Sequence, residues 1–262
     1  MLLLAALVLL AGCATVPVTG RQQFNLLSEE EEARLGREAY REILAQARLS
    51  NDARLVTMVR RVGTRIAAVT NRPEFEWEFN LIESPEQNAF CLPGGKVAVY
   101  TGILEAVQNE AGLAAVLGHE IAHAVARHGG ERLTENLIIS LGAAVLGEAT
   151  RRKPESTRRA LMVAYGAGTT FGVVLPYSRS HELEADRMGL VYMAHAGYDP
   201  REAVAFWRRF AAKGGKVPEF LSTHPASERR IAQLEDLIHE ALAIYAANPN
   251  KYGSGERIAS SP

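Results

Sequence analysis

The run GHEIAHAVARHGG, residues 118–130, gathers His119, Glu120, His123 and His128 into a stretch otherwise rich in Ala, Ile and Val; three of the chain's seven histidines lie there. Apolar helices seldom collect imidazoles, so the spacing carries the meaning. His119 and His123 are four apart and, at about 3.6 residues per turn, project from one helix face, one above the other. Two imidazoles so placed hold zinc, and the glutamate of H-E-x-x-H serves water on that metal as general base. Glu120 is rotated by roughly 100° from His119, so it flanks the ion rather than joining its ligands. The competing reading is a plain core helix with satisfied histidines.

A catalytic zinc takes a third protein ligand and leaves a fourth position to water or substrate. Geometry argues against His128. A third ligand close in sequence needs a glycine-broken helix, H-E-x-x-H-x-x-G-x-x-H, and those positions are Ala126 and Gly129 here. His128 lies about 140° around the helix from His123. It is expected to cap the last turn, where a cation meets the negative end of the helix dipole, with Gly129 and Gly130 ending the helix. The stretch YSRSHELEADRMGLVYMAHAG, residues 177–197, offers the missing ligand. Ser178 or Ser180 would cap a helix there. Glu182 and Asp186 would then share a face, with Glu184 turned roughly 200° away from Glu182. In this reading Glu182 completes the zinc shell and Asp186 accepts the second N–H of a ligand histidine. The alternative is an ordinary solvated acidic face.

H-E-I-A-H paired with E-L-E-A-D resembles the zinc metallopeptidase family of the type 1 CAAX prenyl protease and HtpX, and within it the bacterial lipoprotein branch of the β-barrel assembly-enhancing proteases. Three further stretches carry the resemblance: PVTGRQQFNLLSEEEE, NAFCLPGGKVAVYTGIL and STHPASERRIAQL, so that it covers most of residues 17–237. It implies a zincin-like domain with one zinc per chain, ligands His119, His123 and Glu182, and Glu120 as catalytic base. Cys91 stands where the family usually has alanine after N-A-F; both are small and bury well. The family's substrate strand corresponds to NAFCLPGG, here Asn88, Ala89, Phe90, Gly94 and Gly95.

Elements able to position these residues are mostly helical, with a small sheet, an α+β class. Ser28 starts a helix with Glu31 closing a capping box, and Asn51 starts another. Strand patterns cluster between 74 and 100: EFEWEFNLIE alternates, and NAFCLP and KVAVYTG flank Pro93-Gly94-Gly95. An exposed strand there would grip a peptide by main-chain hydrogen bonds, with little demand on side chains. Residues 137–146 are apolar but too short to span a membrane. With an Ala- and Gly-rich second arm, 160–175, they read as a helical hairpin with its tip at Arg151, Arg152, Lys153 and Pro154; the second arm is suited to act as a lid. His224, in LSTHPASERR, precedes a helix begun by Pro225 or capped by Ser227. It suits an oxyanion stabiliser or a fourth-ligand latch, or else a surface cap. His181, His195 and His239 show no pattern that favours a site.

The first thirteen residues, MLLLAALVLLAGC, are apolar up to Cys13 and too few to span a bilayer. They read as a signal segment, 1–12, whose L-A-G-C resembles a lipobox cleaved before a lipidated Cys13. No Lys or Arg precedes the apolar run, which suggests a translation start upstream of Met1. Ala14 after the cysteine resembles outer-membrane sorting. The expected organisation is a lipidated tether over 13–27, a zinc metallopeptidase domain over 28–248 and a flexible tail over 249–262. At 47% hydrophobic the chain can bury one core, and Lys+Arg 29 against Asp+Glu 30 leaves no basic excess for nucleic acid. The resulting expectation is an outer-membrane lipoprotein facing the periplasm, a zinc metalloendopeptidase acting on unfolded or misassembled envelope polypeptides near the β-barrel assembly machinery. Its rival is a periplasmic chaperone-like binding protein with a structural zinc.

Overall fold

The computed structural model describes residues 13–212, 220, 224 and 228–258. Strands β1 (Cys13–Thr15) and β2 (Gln22–Phe24) pair antiparallel. Helix α1 (Glu29–Gln46) opens with the expected capping box. Ser28 Oγ accepts the Glu31 N–H at 3.2 Å, and Glu31 Oε2 accepts the Ser28 N–H at 2.8 Å. Helix α2 (Ala53–Ala68) is capped by Asp52 rather than Asn51, its Oδ1 accepting the Leu55 N–H at 3.0 Å.

Strands β3 (Glu78–Ile82), β4 (Ala89–Leu92) and β5 (Lys96–Tyr100) form one sheet in the order β3-β5-β4, with β3 parallel and β4 antiparallel to β5. Both faces are covered. Phe79, Leu81, Ala89, Val97 and Val99 join the main core, while Ile82 and Ala98 pack with Tyr40 of α1. Hence the alternation read in EFEWEFNLIE does not persist: Phe79 to Ile82 are all buried, as in any strand buried on both faces. The two edges differ. Residues 48–50 run along β3, Ser50 N–H bonding Leu81 O at 2.8 Å and Glu83 N–H bonding Arg48 O at 2.7 Å. Among the described residues no strand pairs with the outer edge of β4.

A short helix, α3 (Leu104–Val107), leads into α4 (Glu110–Val125). Asn109 caps α4, its Oδ1 accepting the Gly112 N–H at 2.8 Å. Every residue of α4 except His123 is buried, which explains its nearly all-apolar sequence. Helix α5 (His128–Ala149) and helix α6 (Glu155–Thr169) make the hairpin, and a π-turn (Thr170–Val174) runs into α7 (Leu175–His195). Helices α8 (Arg201–Ala212) and α9 (Glu228–Ala247) close the core over α4 and α7. Where α4 crosses α7 the backbones touch: a Cβ on Gly118 would lie 3.0 Å from Gly189 O, and one on Gly189 3.0 Å from His119 N.

Three local expectations are corrected. Helix α4 stops at Val125, not at Gly129–Gly130, because Arg127 adopts a left-handed conformation (φ 58°) and His128 starts a new helix. Arg127 is held there by Glu32 Oε1 and Leu27 O, each at 2.7 Å. Gly130 instead admits the Glu32 carboxylate, which would meet a Cβ at 1.9 Å. Ser178 and Ser180 lie inside α7 rather than capping it, since helix continues through the π-turn. Residues 250–258, expected within the tail, bond back to the domain: Tyr252 N–H to Gly197 O at 2.7 Å and Ile258 N–H to Gln108 O at 2.8 Å. No helix among the described residues is long and apolar enough to cross a membrane.

Candidate metal centre

Helix α4 presents His119 and His123 to Glu182 of α7, as the four-residue spacing predicts. His119 Nε2 lies 3.1 Å from His123 Nε2 and 3.3 Å from Glu182 Oε2, and His123 Nε2 lies 3.4 Å from Glu182 Oε1. His224 enters the same group, its Nδ1 3.2 Å from His119 Nε2 and 3.0 Å from Glu182 Oε1. One donor atom from each of the four residues falls within a sphere where all lie within 4.8 Å of one another. The donor set fits zinc. Bonds of about 2.0–2.1 Å in a tetrahedron place ligand atoms roughly 3.3 Å apart, close to the separations found.

The electrostatics agree. Burial opposes the charge on Glu182, yet the His119, His123 and His224 imidazoles packed against it outweigh that and hold the carboxylate far below its usual range. Burial keeps the His123 imidazole well below its ordinary pKa and therefore neutral, the form that binds metal. Glu120, beside but outside the group, is pushed up to about 7 by burial. Its Oε1 has no hydrogen-bond partner among the described residues and lies 3.5 Å from His224 Nε2.

Asp186, expected to accept the second N–H of a ligand histidine, has Oδ1 3.0 Å from His119 Nδ1. Sequence reasoning missed its partner. Arg230 of α9, buried, grips Asp186 with two bonds of 2.7 Å, reaches Glu182 Oε2 at 3.1 Å and stacks its guanidinium 4.0 Å from the Trp207 ring. One arginine thus serves two of the carboxylates of α7, Glu182 and Asp186. Its only sequence signal was membership of the STHPASERRIAQL stretch. Trp207 and Phe220 wall His119 at ring distances of 5.5 and 6.4 Å.

Other expected positions resolve as follows. His128 is not in the ligand group, but neither is it an exposed cap: it is buried, Nδ1 2.8 Å from His123 Nδ1 and Nε2 2.9 Å from Glu184 Oε2. Glu184 points away from Glu182, as predicted. His181, which showed no pattern, is buried with its ring 4.1 Å from that of His128. His224 is inside the group rather than on the surface. Pro225 and Ser227 lie outside the described residues, as do residues 1–12 and the side chain of Cys13. Ala89 of β4 is buried against α4, Phe90 meets Tyr40 at 6.3 Å, and Asn88 Oδ1 accepts the Ala89 N–H at 2.9 Å. Desolvation, then the Glu120 charge, push the Cys91 thiol well above its usual range, and β4 packs against α4, the helix that carries the base. Gly94 and Gly95 turn β4 into β5.

A family model described as Peptidase family M48 matches residues 54–238. The chain is similar to the mitochondrial metalloendopeptidase OMA1 of Schizosaccharomyces pombe, 40% identical over 86% of this chain and 66% of that protein. It is 32% identical to the OMA1 metalloendopeptidase of Homo sapiens, over 90% of this chain and 46% of that protein. With the beta-barrel assembly-enhancing protease of Escherichia coli it shares 30% identity over 83% of this chain and 46% of that protein. The chain therefore spans between roughly half and two thirds of the length of these three relatives.

Proposed function

The chain belongs to peptidase family M48 and is a metalloprotease, and from that premise we propose that it is a zinc metalloendopeptidase of the cell envelope with one metal held by His119, His123 and Glu182. The observation that carries the reading is the convergence of those three side chains from two helices, beside a Glu120 carboxylate oxygen with no hydrogen-bond partner among the described residues.

Zinc, when bound there, supplies a Lewis acid that polarises the scissile carbonyl and lowers the pKa of water. Glu120 takes the proton of the attacking water and passes it to the leaving amine. Asp186, locked by Arg230, holds His119 through Nδ1 and turns Nε2 towards the ligand group. The open edge of β4, a strand packed against the helix that carries Glu120, binds an extended polypeptide by main-chain pairing, with Asn88 to Phe90 and Gly94–Gly95 framing it. Such a grip reads backbone rather than sequence and suits misfolded or stalled proteins as substrates. Of the two roles open to His224, the position of Nδ1 among the donors favours the latch, a fourth ligand that must withdraw before water enters.

The envelope reading rests on the L-A-G-C segment and Cys13, and on a relative whose name speaks of β-barrel assembly; the names of the other two place those proteins in mitochondria. Outer-membrane anchoring through lipid on Cys13, and work beside the β-barrel assembly machinery, are parts of the same proposal. Labelled palmitate should enter the wild-type chain and not Cys13→Ser; no label in the wild type removes the anchor.

The decisive assay incubates the zinc-loaded chain with unfolded casein and with envelope proteins, with and without chelator, beside Glu120→Gln and His224→Ala. Cleavage by the wild type or by His224→Ala, absent with chelator and with Glu120→Gln, is the expected result. Equal product from wild type and Glu120→Gln, or no product even from His224→Ala, returns the chain to a chaperone-like role with structural zinc.

A further inference from the structure

His123 has a second ring nitrogen, and what holds it leads out of the metal group to the first strands. Nδ1 of His123 lies 2.8 Å from Nδ1 of His128, whose Nε2 lies 2.9 Å from Glu184 Oε2. That same oxygen accepts the Nε–H of Arg21 at 2.8 Å, and the Thr19 hydroxyl donates to Oε1. Thr19 and Arg21 sit in the connection between β1 and β2. Arg21 continues with two parallel bonds of 2.9 and 2.8 Å to Glu131, which also meets His181 Nε2 at 2.9 Å. His128, Glu131, His181 and Glu184 are all buried, and Arg21 closes the cluster from outside with 28% of its side chain exposed.

The ends of this series fix every hydrogen within it. A carboxylate only accepts. With Arg21 and Thr19 donating to Glu184, its 2.9 Å contact with His128 requires the hydrogen on His128 Nε2. A neutral imidazole carrying that hydrogen offers a lone pair at Nδ1. The 2.8 Å contact between the rings then requires the hydrogen on His123 Nδ1. What remains at His123 Nε2 is a lone pair, aimed at Glu182 and His119, and a metal needs that lone pair. Arg21 and Thr19 keep the Glu184 carboxylate charged and aimed at His128, so that this order of hydrogens is maintained.

We propose that Arg21 is a positioning residue for the metal centre: acting through Glu184 and His128, it fixes His123 in the tautomer that presents Nε2 as a ligand. The proposal rests on the reading of His123 as a zinc ligand. Thr19 supports the same carboxylate from the same turn, so the short N-terminal hairpin braces the site although it contributes no ligand. The guanidinium is suited to the task because its planar fork serves Glu184 and Glu131 at once.

In the metal-free wild-type chain, long-range hydrogen–nitrogen-15 correlation of the imidazoles should place the hydrogen of His123 on Nδ1 and that of His128 on Nε2. Arg21→Ala and Glu184→Gln should weaken zinc binding, measured by competition with a chromophoric chelator, by about 10- to 100-fold, and should mix the two His123 tautomers. Arg21→Lys should recover part of the affinity. Arg72→Ala, which removes a different ion pair to the start of α1, should leave zinc affinity and tautomer unchanged. A His123 hydrogen on Nε2 in the wild type, or wild-type affinity and tautomer in Arg21→Ala, overturns the proposal. Failure of the ligand reading would look different: His123→Ala would then bind zinc as tightly as the wild type. Because the tautomer is read in the unsubstituted chain, a variant that unfolds does not leave the question open.

Discussion

Helices α4 and α7 and the hairpin α5–α6 follow one another in the chain but are built by opposite rules. In α4 only His123 escapes burial, and α7 buries Glu182, Glu184 and Asp186 against it. In α6 no described residue is buried, and α5 beyond Thr134 exposes Leu137, Ile138, Leu141 and Val145, the last at 69%. The contrast separates apolar character from packing. Both pairs are rich in apolar residues, but only in the first are those residues part of the core. What α4 and α7 do with the burial is chemical: it strips water from four donors, a base and their arginine, where each contact acts at low dielectric. Beyond Thr134 the described residues of the hairpin include no member of the ligand group and none of the buried residues behind His123.

The largest effect that tests this contrast is catalytic. Glu120→Gln keeps size and reach but removes the base, so hydrolysis should fall by about 10²- to 10⁴-fold, with zinc content and melting temperature unchanged. A loss of zinc together with activity would show that Glu120 belongs to the ligands. Next comes the buried ion network. Arg230→Ala leaves Asp186 and Glu182 without their cation, and the metal-free chain should lose about 3–5 kcal/mol in denaturant unfolding. Added zinc should restore part of that, because the ion replaces the missing positive charge. Third, Gly189→Ala puts a methyl against the His119 N–H and should cost about 1–3 kcal/mol, as overpacking does. The smallest effect belongs to the hairpin: Leu141→Gln or Val145→Thr should stay within about 0.5 kcal/mol. A hairpin variant that destabilises as much as Gly189→Ala would erase the distinction drawn between the two regions.

What the sequence disclosed is what one helix decides for itself. The capping box at Ser28, the shared face of His119 and His123, and the opposed directions of Glu182 and Glu184 all follow from residues per turn. What it hid depends on which elements meet. Nothing local marks Arg230 as the partner of Asp186, because the two lie on different helices and pair only once α9 packs on α7. The break between α4 and α5 carries no Gly or Pro at Arg127; a buried bond to Glu32 holds that left-handed residue, and Glu32 lies far back in α1. His128 reads as a helix cap and His181 shows no pattern for the same reason: an imidazole's surroundings are set by tertiary contacts, here with Glu184 for His128 and Glu131 for His181. Strand β3 lost its alternation once α1 covered the face that the sequence pattern left to solvent.

The direct crossing of α4 over α7 at Gly118 and Gly189 has a consequence for how such a chain tolerates change. The span between the histidine pair and Glu182 is gauged there by main chain against main chain, with no side chain wedged between. Substitutions among the surrounding Leu, Ile, Val and Ala can alter how the core is filled without resetting that gauge. The spacing of the cage is thereby insulated from drift in the surrounding apolar core and is most exposed to change at two positions where any side chain would press on main chain.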